Sequence, residues 1–447
     1  MRPEQQYIDL FAEAEALICQ HSAEALNAPR ARAMEAFARL GLPGTRQEAY
    51  RHTDVGALFA PNFGMNLKRV NIAVDPHEVF RCDVPNLSTS LYFVVNDAFY
   101  PAPEIRRPRL PEGVLMGSLR QIAEQHPDLV RAHYARLARP EADGTVALNT
   151  AFAQDGILLY VPRGVVVERP IQIVNVLRAD FDLMACRRVL IILEEGAQAK
   201  LLVCDHAMDN VHFLASQVVE AYVGQGASLD LYELEETHTS TARVSNLHVR
   251  QEADSRVLLN SMTLYNGTTR NNVHVHLAGP GAQLELCGMA IEDKDQHVDN
   301  HTTVDHDAPS CTSHELYKYV LDDRSTGAFN GLVRVRPGAQ HTVSQQTSRN
   351  LCVTPSARMW TEPQLEIYAD DVKCSHGATV GQLNDQALFY MRQRGVPERE
   401  ARLLLMFAFV GEVIDTVRLE AMRDRLHHLV EKRFRGNLCK CQDCRIC

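Results

Sequence analysis

The amino-acid sequence has few aromatic residues, no excess of positive charge and no long apolar run. Aromatic side chains make up 6% of its 447 residues, Trp360 is the only tryptophan, and the formal net charge is −10. Nucleic-acid-binding proteins need a basic surface and often stack bases on aromatic rings, so we expect no nucleic-acid partner. The longest apolar run, Leu403 to Val410, is too short to cross a bilayer, so we expect no membrane association either.

Several catalytic signatures are missing as well. The sequence contains no G-x-x-x-x-G-K-S/T loop, which argues against nucleotide binding by that device, and no G-x-S-x-G or H-E-x-x-H motif. The first residues are acidic and polar where a secretion signal needs an apolar stretch. We therefore expect a cytoplasmic protein whose twelve cysteines are reduced and available for metal or cluster chemistry.

The pattern of apolar residues predicts a mainly β protein with helical regions on both sides. Helical periodicity returns after Gly381, whereas short β-rich runs without an intervening amphipathic helix follow one another from about Leu148. Four regions are predicted from these changes. They are an N-terminal helical and mixed region over 1–145, a β core over 146–382, a C-terminal helical domain over 383–436 and a cysteine-rich tail over 437–447.

Small turn-like signatures recur inside the β core, each centred on an alanine. Most of these alanines follow one another at intervals of 26 to 31 residues, which leaves two or three short strands per interval. A corner that recurs once per coil is typical of a β-solenoid, whereas the hairpins of an antiparallel sandwich bring turns closer together. We predict the solenoid and keep the sandwich as the alternative. The alanines are Ala197, Ala227, Ala253, Ala282, Ala308, Ala339 and Ala357.

The segment Asp370–Thr379 contains a cysteine and a histidine two residues apart. If this segment is extended, Cys374 and His376 project from the same face of the strand. A thiolate and an imidazole on one face form half of a site for iron, zinc or the edge of a cluster, and they also suit a nucleophile–base pair. The alternative is a buried cysteine beside a hydrogen-bonded histidine at a coil corner.

Four further cysteines lie at the end of the sequence, spaced C-x-C-x2-C-x2-C. This spacing suits a single metal or a cluster but matches neither the usual zinc-finger pattern nor the ferredoxin pattern. The alternative is a disordered tail with incidental thiols. The candidate ligands in this tail are Cys439, Cys441, Cys444 and Cys447.

A weaker cluster contains six histidines within about forty residues. We interpret them as polar residues along a solenoid surface or an interface, since His297 and His301 are expected to share a face only in a helix. The six are His274, His276, His297, His301, His306 and His314.

The stretch Leu365–Gly381, with its KCSHGATVG segment, resembles the SufB/SufD family and is closer in wording to the SufD branch than to SufB. The resemblance extends over about Arg30 to Glu431. Other matching segments are Gly41–Pro43, Glu48–Arg51, Asn149–Gly156, Tyr160–Val165, Asp295–His301, Phe329–Gly331, Arg349–Leu351, Ala387–Tyr390 and Arg394–Gly395.

This resemblance implies a right-handed parallel β-helix flanked by N-terminal and C-terminal α-helical domains. It implies a non-catalytic scaffold subunit of the SufBCD iron–sulfur cluster assembly complex, which pairs with a SufB-like paralogue and whose C-terminal helices bind a SufC-like ABC ATPase. The family's functional histidine corresponds to His376, with Cys374 as its companion, and the cargo is iron or a nascent cluster held transiently. No nucleotide is expected on this chain, and a homodimer of the isolated chain stays open.

Two other functions remain as alternatives. One is a metal-binding protein that uses the cysteines of the C-terminal tail, which is not a feature that the resemblance explains. The least favoured is a β-solenoid carbohydrate-active enzyme, because such enzymes place paired carboxylates on one face and usually act outside the cell.

Overall fold

The computed structural model describes residues 3–70, 72, 88–101 and 108–436. Helices precede the β core in the sequence and follow it. The helices before the core are α1 (Pro3–Gln20), α2 (Glu24–Asn27), α3 (Arg30–Leu40), α4 (Val55–Phe59), α5 (Leu119–Gln125), α6 (Pro127–His133) and α7 (Gly144–Phe152), with a 3-10 turn at Glu48–Tyr50. Those after it are α8 (Asp385–Gln393), α9 (Glu398–Ile414) and α10 (Glu420–Phe434).

The core is a parallel β-solenoid, which confirms the predicted fold class. The chain alternates between a nine-stranded and a ten-stranded sheet, so that each coil adds one strand to each. The strands are β1 (Ser90–Val95), β2 (Ala98–Tyr100), β3 (Leu115–Ser118), β4 (Ile157–Val161), β5 (Ile171–Leu177), β6 (Leu183–Leu193), β7 (Gln198–Ala207), β8 (Phe213–Val223), β9 (Ser228–Glu236), β10 (Thr241–Gln251), β11 (Arg256–Tyr265), β12 (Thr268–Leu277), β13 (Gln283–Glu292), β14 (His297–His306), β15 (Thr312–Leu321), β16 (Thr326–Val335), β17 (Val343–Cys352), β18 (Arg358–Ile367) and β19 (Lys373–Gly381).

The recurring alanines lie at corners between the two sheets, as the sequence predicts. Six of the seven occupy the corner that leads from the nine-stranded to the ten-stranded sheet, and most of these are buried. Gly196 and Gly226 adopt positive φ angles there, which suits residues without a Cβ atom. Ala357 lies at the opposite corner, between β17 and β18, which explains why it follows Ala339 after a shorter interval.

The N-terminal helices cover the outer face of the nine-stranded sheet. Helices α1, α3 and α7 pack against apolar side chains of β6, β8 and β10. The Arg188 guanidinium donates a hydrogen bond of 2.6 Å to Glu220 in a fully buried ion pair. Glu220 also accepts hydrogen bonds from the backbone N–H groups of residues 135–138, which joins the helical region to the sheet.

The C-terminal helices cover the outer face of the ten-stranded sheet. Val410, Val413 and Ile414 of α9 are buried against apolar residues of this sheet. Arg433 of α10 donates hydrogen bonds to the carbonyl oxygen of Leu264 at 2.6 Å and to the Asp293 carboxylate at 2.8 Å. Among the helices of the described ranges, none combines the length and apolar character needed to span a bilayer.

The two ends of the solenoid differ in how the sheets stop. At the first end, each sheet finishes with a short antiparallel strand, β2 on one sheet and β3 on the other. At the second end, the sheets finish with the parallel strands β18 and β19, each with one neighbour in its sheet among the described strands. We call this second end, formed by β17, β18 and β19, the open end.

Candidate functional site

Cys374 and His376 both lie on β19, the last strand of the ten-stranded sheet. The strand runs parallel to β17, with Cys374 opposite Ser344 and His376 opposite Gln346. The predicted extended conformation is therefore confirmed, and the two side chains leave the strand on the same face. That face is the inner one, because Ser344, Gln346 and the partly buried Cys374 point to the interior of the coil. His376 is exposed, since no further coil covers it in the described structure.

The Cys374 thiol is partly buried against the apolar core of the solenoid. Burial raises its pKa above the ordinary cysteine value, and the backbone N–H of Ser344 opposes this shift by a smaller amount. A thiol with a raised pKa is neutral near pH 7 and becomes a strong ligand when a metal displaces its proton. The environment of Cys374 therefore disfavours the nucleophile–base pair that the sequence left open.

The inner face of the ten-stranded sheet changes from apolar to polar toward Cys374 and His376. In register with His376 lies a row of side chains, here called the histidine row, one from each odd-numbered strand from β5 to β19. In register with Cys374 lies a second row, the cysteine row. From the first coil to the last, the histidine row is Ile171, Leu201, Leu231, Leu259, Leu286, Glu315, Gln346 and His376, and the cysteine row is Ala199, Leu229, Val257, Leu284, Ser313, Ser344 and Cys374.

Polar contacts connect the last members of the histidine row. The side-chain Nε2 of Gln346 donates a hydrogen bond of 2.9 Å to Glu315 Oε2, and Thr302 Oγ1 donates to the same oxygen at 3.0 Å. Both Glu315 and Gln346 are completely shielded from solvent. Burial raises the pKa of Glu315 to about 7, although the hydrogen bonds from Gln346 and Thr302 act in the opposite direction.

The cysteine row carries a parallel chain of contacts. The hydroxyl groups of Ser313 and Ser344 lie 2.8 Å apart, and Nε2 of His306 lies 2.9 Å from Ser313 Oγ. Burial lowers the pKa of His306 to about 4, so its imidazole is neutral at physiological pH. Both inner rows therefore become polar in the three strands nearest the open end, and side-chain hydrogen bonds connect their members on β15 and β17.

Two ligands alone do not complete the coordination of a metal ion or cluster. Within the residues that the structure describes, no group of three or more histidine, cysteine, aspartate or glutamate side chains is arranged to hold a metal. A metal ion or cluster held by Cys374 and His376 would therefore need further ligands from elsewhere. The predicted tail ligands Cys439, Cys441, Cys444 and Cys447 lie outside the described residues.

Two family models cover almost the whole chain. The model described as "SUF system FeS cluster assembly, SufBD core domain" matches residues 176–409, and the one described as "SufBD protein N-terminal region" matches residues 1–173. The chain belongs to the SufBD family. Both the solenoid and its N-terminal helical cover are thus family features, and the family takes part in iron–sulfur cluster assembly.

Three relatives show how far the similarity extends. An iron–sulfur cluster assembly SufBD family protein of Synechocystis, slr0076, is 28% identical over 90% of this chain and 89% of its own length. The Arabidopsis thaliana protein ABCI7, chloroplastic, is 30% identical over 76% of this chain and 72% of its own. Escherichia coli SufD is 30% identical over 55% of this chain, which spans 58% of that relative.

The histidine-rich segment of this SufBD protein behaves differently from the sequence expectation in one respect. The expectation that His297 and His301 would share a face only in a helix is wrong, because β14 contains both and residues four apart also share a face of a strand. Their face is the outer one, where the His297 ring lies 2.9 Å from Thr53 Oγ1 of the N-terminal region. His306 points inward instead, toward the cysteine row.

Sequence patterns did not identify Glu315 or Gln346 as part of the site. Neither belongs to a recognisable motif, and both lie far from the KCSH segment in the sequence. The available signal is the coil length, since Glu315, Gln346 and His376 follow one another at intervals of 31 and 30 residues. Polar residues that recur at the length of one coil share a row. Glu315 and Gln346 therefore lie in the same row as His376, two coils and one coil before it.

Proposed function

We propose that this protein is a non-catalytic scaffold subunit of a SufBCD-type complex that holds iron or a nascent iron–sulfur cluster as cargo. The observation that carries the proposal is the position of Cys374 and His376, side by side on the inner face of the last strand of a SufBD-family solenoid. Imidazole and thiolate ligands suit iron, and a mixed, incomplete ligand set releases its cargo more easily than four thiolates do.

The open end supports pairing with a SufB-like paralogue. Strands β18 and β19 offer backbone N–H and C=O groups to a further strand, and an exposed edge of this length is a common docking surface. Exposed apolar side chains surround it, which a monomer would be expected to cover. They are Val343, Ile367, Tyr368 and Val380. A partner at this edge would lie close to Cys374 and His376 and would supply the missing ligands.

The C-terminal helices support a second partner, the SufC-like ABC ATPase. The buried end of α9 packs on the solenoid, whereas Leu404 near its other end is 43% exposed and Phe389 of α8 is 63% exposed. Leu403, Leu404, Phe407 and Phe434 line a cavity of about 200 Å³ between α9 and α10. An apolar surface of this kind suits a docked protein. In this proposal the ATPase binds the nucleotide, this chain binds none, and the complex works in the cytoplasm.

The decisive experiment is anaerobic purification of the chain co-expressed with a SufB-like and a SufC-like protein, followed by iron and sulfide analysis. We expect His376→Ala to reduce the iron and sulfide bound per complex at least severalfold while leaving the complex assembled. Ser375→Ala, on the outer face of the same strand, is the matched control and should retain the full content. Leu404→Arg is expected to release the ATPase alone.

Full iron and sulfide content in the His376→Ala complex would refute the cargo role of this site. A chain that ends at Gly436 tests the tail in the same assay. If this truncation removes the metal and His376→Ala does not, the metal belongs to the cysteine-rich tail and the alternative of a tail-based metal-binding protein is correct.

A further inference from the structure

The polar end of the histidine row contains two hydrogen-bond acceptor atoms without a partner. Oε1 of Gln346 and Oε1 of Glu315 are both buried and accept no hydrogen bond from the described part of the chain. A buried amide oxygen without a donor costs free energy, which favours an interaction that supplies one. The nearest member of the row on the open side is His376, directly opposite Gln346 across the β17–β19 pair.

The orientation of the Gln346 amide is determined by Glu315. In its ionised form the Glu315 carboxylate only accepts hydrogen bonds, so the Gln346 NH₂ group then faces Glu315 Oε2, at 2.9 Å, and the amide oxygen faces away. Thr302 Oγ1 anchors the same carboxylate oxygen from β14 of the facing sheet, at 3.0 Å. Gln346 therefore presents an acceptor oxygen of fixed direction.

The facing sheet leaves space for this side chain. Gly331 on β16 lies against Gln346, and a Cβ atom at position 331 would approach Gln346 Nε2 to 2.3 Å. Any larger residue at position 331 would displace the amide. The glycine of the Phe329–Gly331 segment thus has a physical reason, since it allows Gln346 to extend across the interior of the coil.

We infer that Gln346 is a positioning residue for His376. The exposed His376 side chain, which forms no hydrogen bond with Gln346 in the described structure, turns so that one ring nitrogen donates to the Gln346 amide oxygen, and Glu315 holds the amide in the required orientation. The other ring nitrogen then carries the lone pair and is directed to the cargo beside Cys374. Histidine ligands of metals commonly donate their second ring N–H to an oxygen acceptor, which fixes the tautomer and the direction of the ring. This inference rests on the proposed cargo role of His376.

The test compares substitutions on the inner and outer faces of one strand in the full-length chain. Gln346→Leu removes the acceptor, and Gln345→Leu places the same residue on the exposed outer face as a control. Glu315→Leu removes the group that orients the amide and introduces the residue type found one coil earlier at Leu286. Glu315→Gln keeps an acceptor oxygen for Gln346 and serves as the conservative variant.

The first measurement is the tautomer of His376, read from ring ¹⁵N chemical shifts in chain labelled with ¹⁵N-histidine. The His376→Ala chain assigns the signal among the 19 histidines. We expect one dominant tautomer in the parent chain, the Gln345→Leu chain and the Glu315→Gln chain, and a mixture in the Gln346→Leu and Glu315→Leu chains. An unchanged tautomer in both of the latter, with intact folding by circular dichroism, would overturn the inference.

The second measurement is anaerobic titration with Co²⁺ alone, followed by visible absorption from cobalt–thiolate and cobalt–imidazole coordination. We expect Gln346→Leu to weaken Co²⁺ binding about tenfold or more, the usual effect of losing such a partner of a metal ligand. Unchanged affinity with Gln346→Leu would contradict the inference. If no variant binds Co²⁺ but the tautomer still shifts, the positioning role stands and the cargo role of the isolated chain fails. If Gln346→Leu does not fold, the comparison of Glu315→Leu with Glu315→Gln tests the inference instead.

Discussion

The first and last coils of the solenoid use the same backbone positions for different purposes. In the histidine row, the early strands contribute apolar side chains from Ile171 to Leu286, and the last three strands contribute Glu315, Gln346 and His376. The backbone register is continuous throughout, so the change lies in the side chains alone. A repeating fold can therefore keep a dry core in one part and build a hydrogen-bonded column in another, coil by coil.

The largest effect on stability is expected when the apolar and polar residues of the histidine row are exchanged. Leu286 is buried in the apolar part of the row, so Leu286→Gln removes packing and leaves an amide without partners. We expect it to lower the free energy of unfolding by about 3–5 kcal/mol. The reverse change, Gln346→Leu, removes an amide with an unsatisfied oxygen and should alter stability by less than about 1.5 kcal/mol. Urea unfolding followed by circular dichroism measures both.

Equal destabilisation by these two substitutions would show that the polar column is as essential to folding as the apolar core. The difference between the regions would then be one of packing and not of function.

A second, smaller effect concerns pH. Burial raises the pKa of Glu315 in the folded chain to about 7, above the value of about 4.3 expected when unfolded. The folded chain holds this proton more tightly, so Glu315 imposes no ionisation cost below about pH 4.3, and the cost grows as the pH rises toward 7. Relative to the parent chain, Glu315→Gln should therefore gain stability by roughly 3 kcal/mol between pH 4.3 and 7.

Unfolding curves at half-unit pH steps test this expectation. Glu112→Gln, in an exposed turn, carries the same change of residue type and is the control. A pH-independent difference for Glu315→Gln would mean that Glu315 ionises in the folded chain as readily as in water.

The smallest effect on stability is expected at the two ends of the solenoid. Val380 at the open end is 49% exposed and Val166 near the first end is 44% exposed, so Val380→Lys and Val166→Lys form a matched pair. Each should change the free energy of unfolding by less than about 0.5 kcal/mol. Only Val380→Lys should weaken binding to a SufB-like partner, by about tenfold, because lysine on an edge strand opposes strand addition. Titration calorimetry, or co-purification at a limiting concentration of the partner, compares the affinities of the two variants.

Much of the architecture follows from local sequence patterns. Several strands that these patterns do not indicate have a polar inner side. Corners are local, so the recurring alanines predict the solenoid. Strands β10, β14 and β17 are among those that contain few uninterrupted apolar residues, so the apolar pattern alone does not indicate them. Their inward positions carry serine, asparagine and glutamine, for example Ser344 and Gln346, each of which forms a side-chain hydrogen bond with the preceding coil. A strand whose buried side is polar is not recognisable from apolar content alone.

The candidate site also has one part that the sequence predicts and another part that it does not. Cys374 and His376 are two residues apart in the sequence, and their shared face follows from strand geometry. Glu315 and Thr302 approach them only through the stacking of coils, and Gly331 matters only because Gln346 crosses the interior toward it. These are relations between strands of facing sheets or of successive coils, so residue spacing within a motif carries no information about them.

The open end also has a consequence for how the cell must make this protein. A sheet edge with free backbone groups and apolar neighbours accepts any compatible strand, including that of a second identical chain. If the proposed partner covers this edge, copies produced in excess of that partner are expected to self-associate or to be proteolysed. Matched synthesis of the two proposed partners, or rapid capture of each new chain, would then protect the edge before assembly.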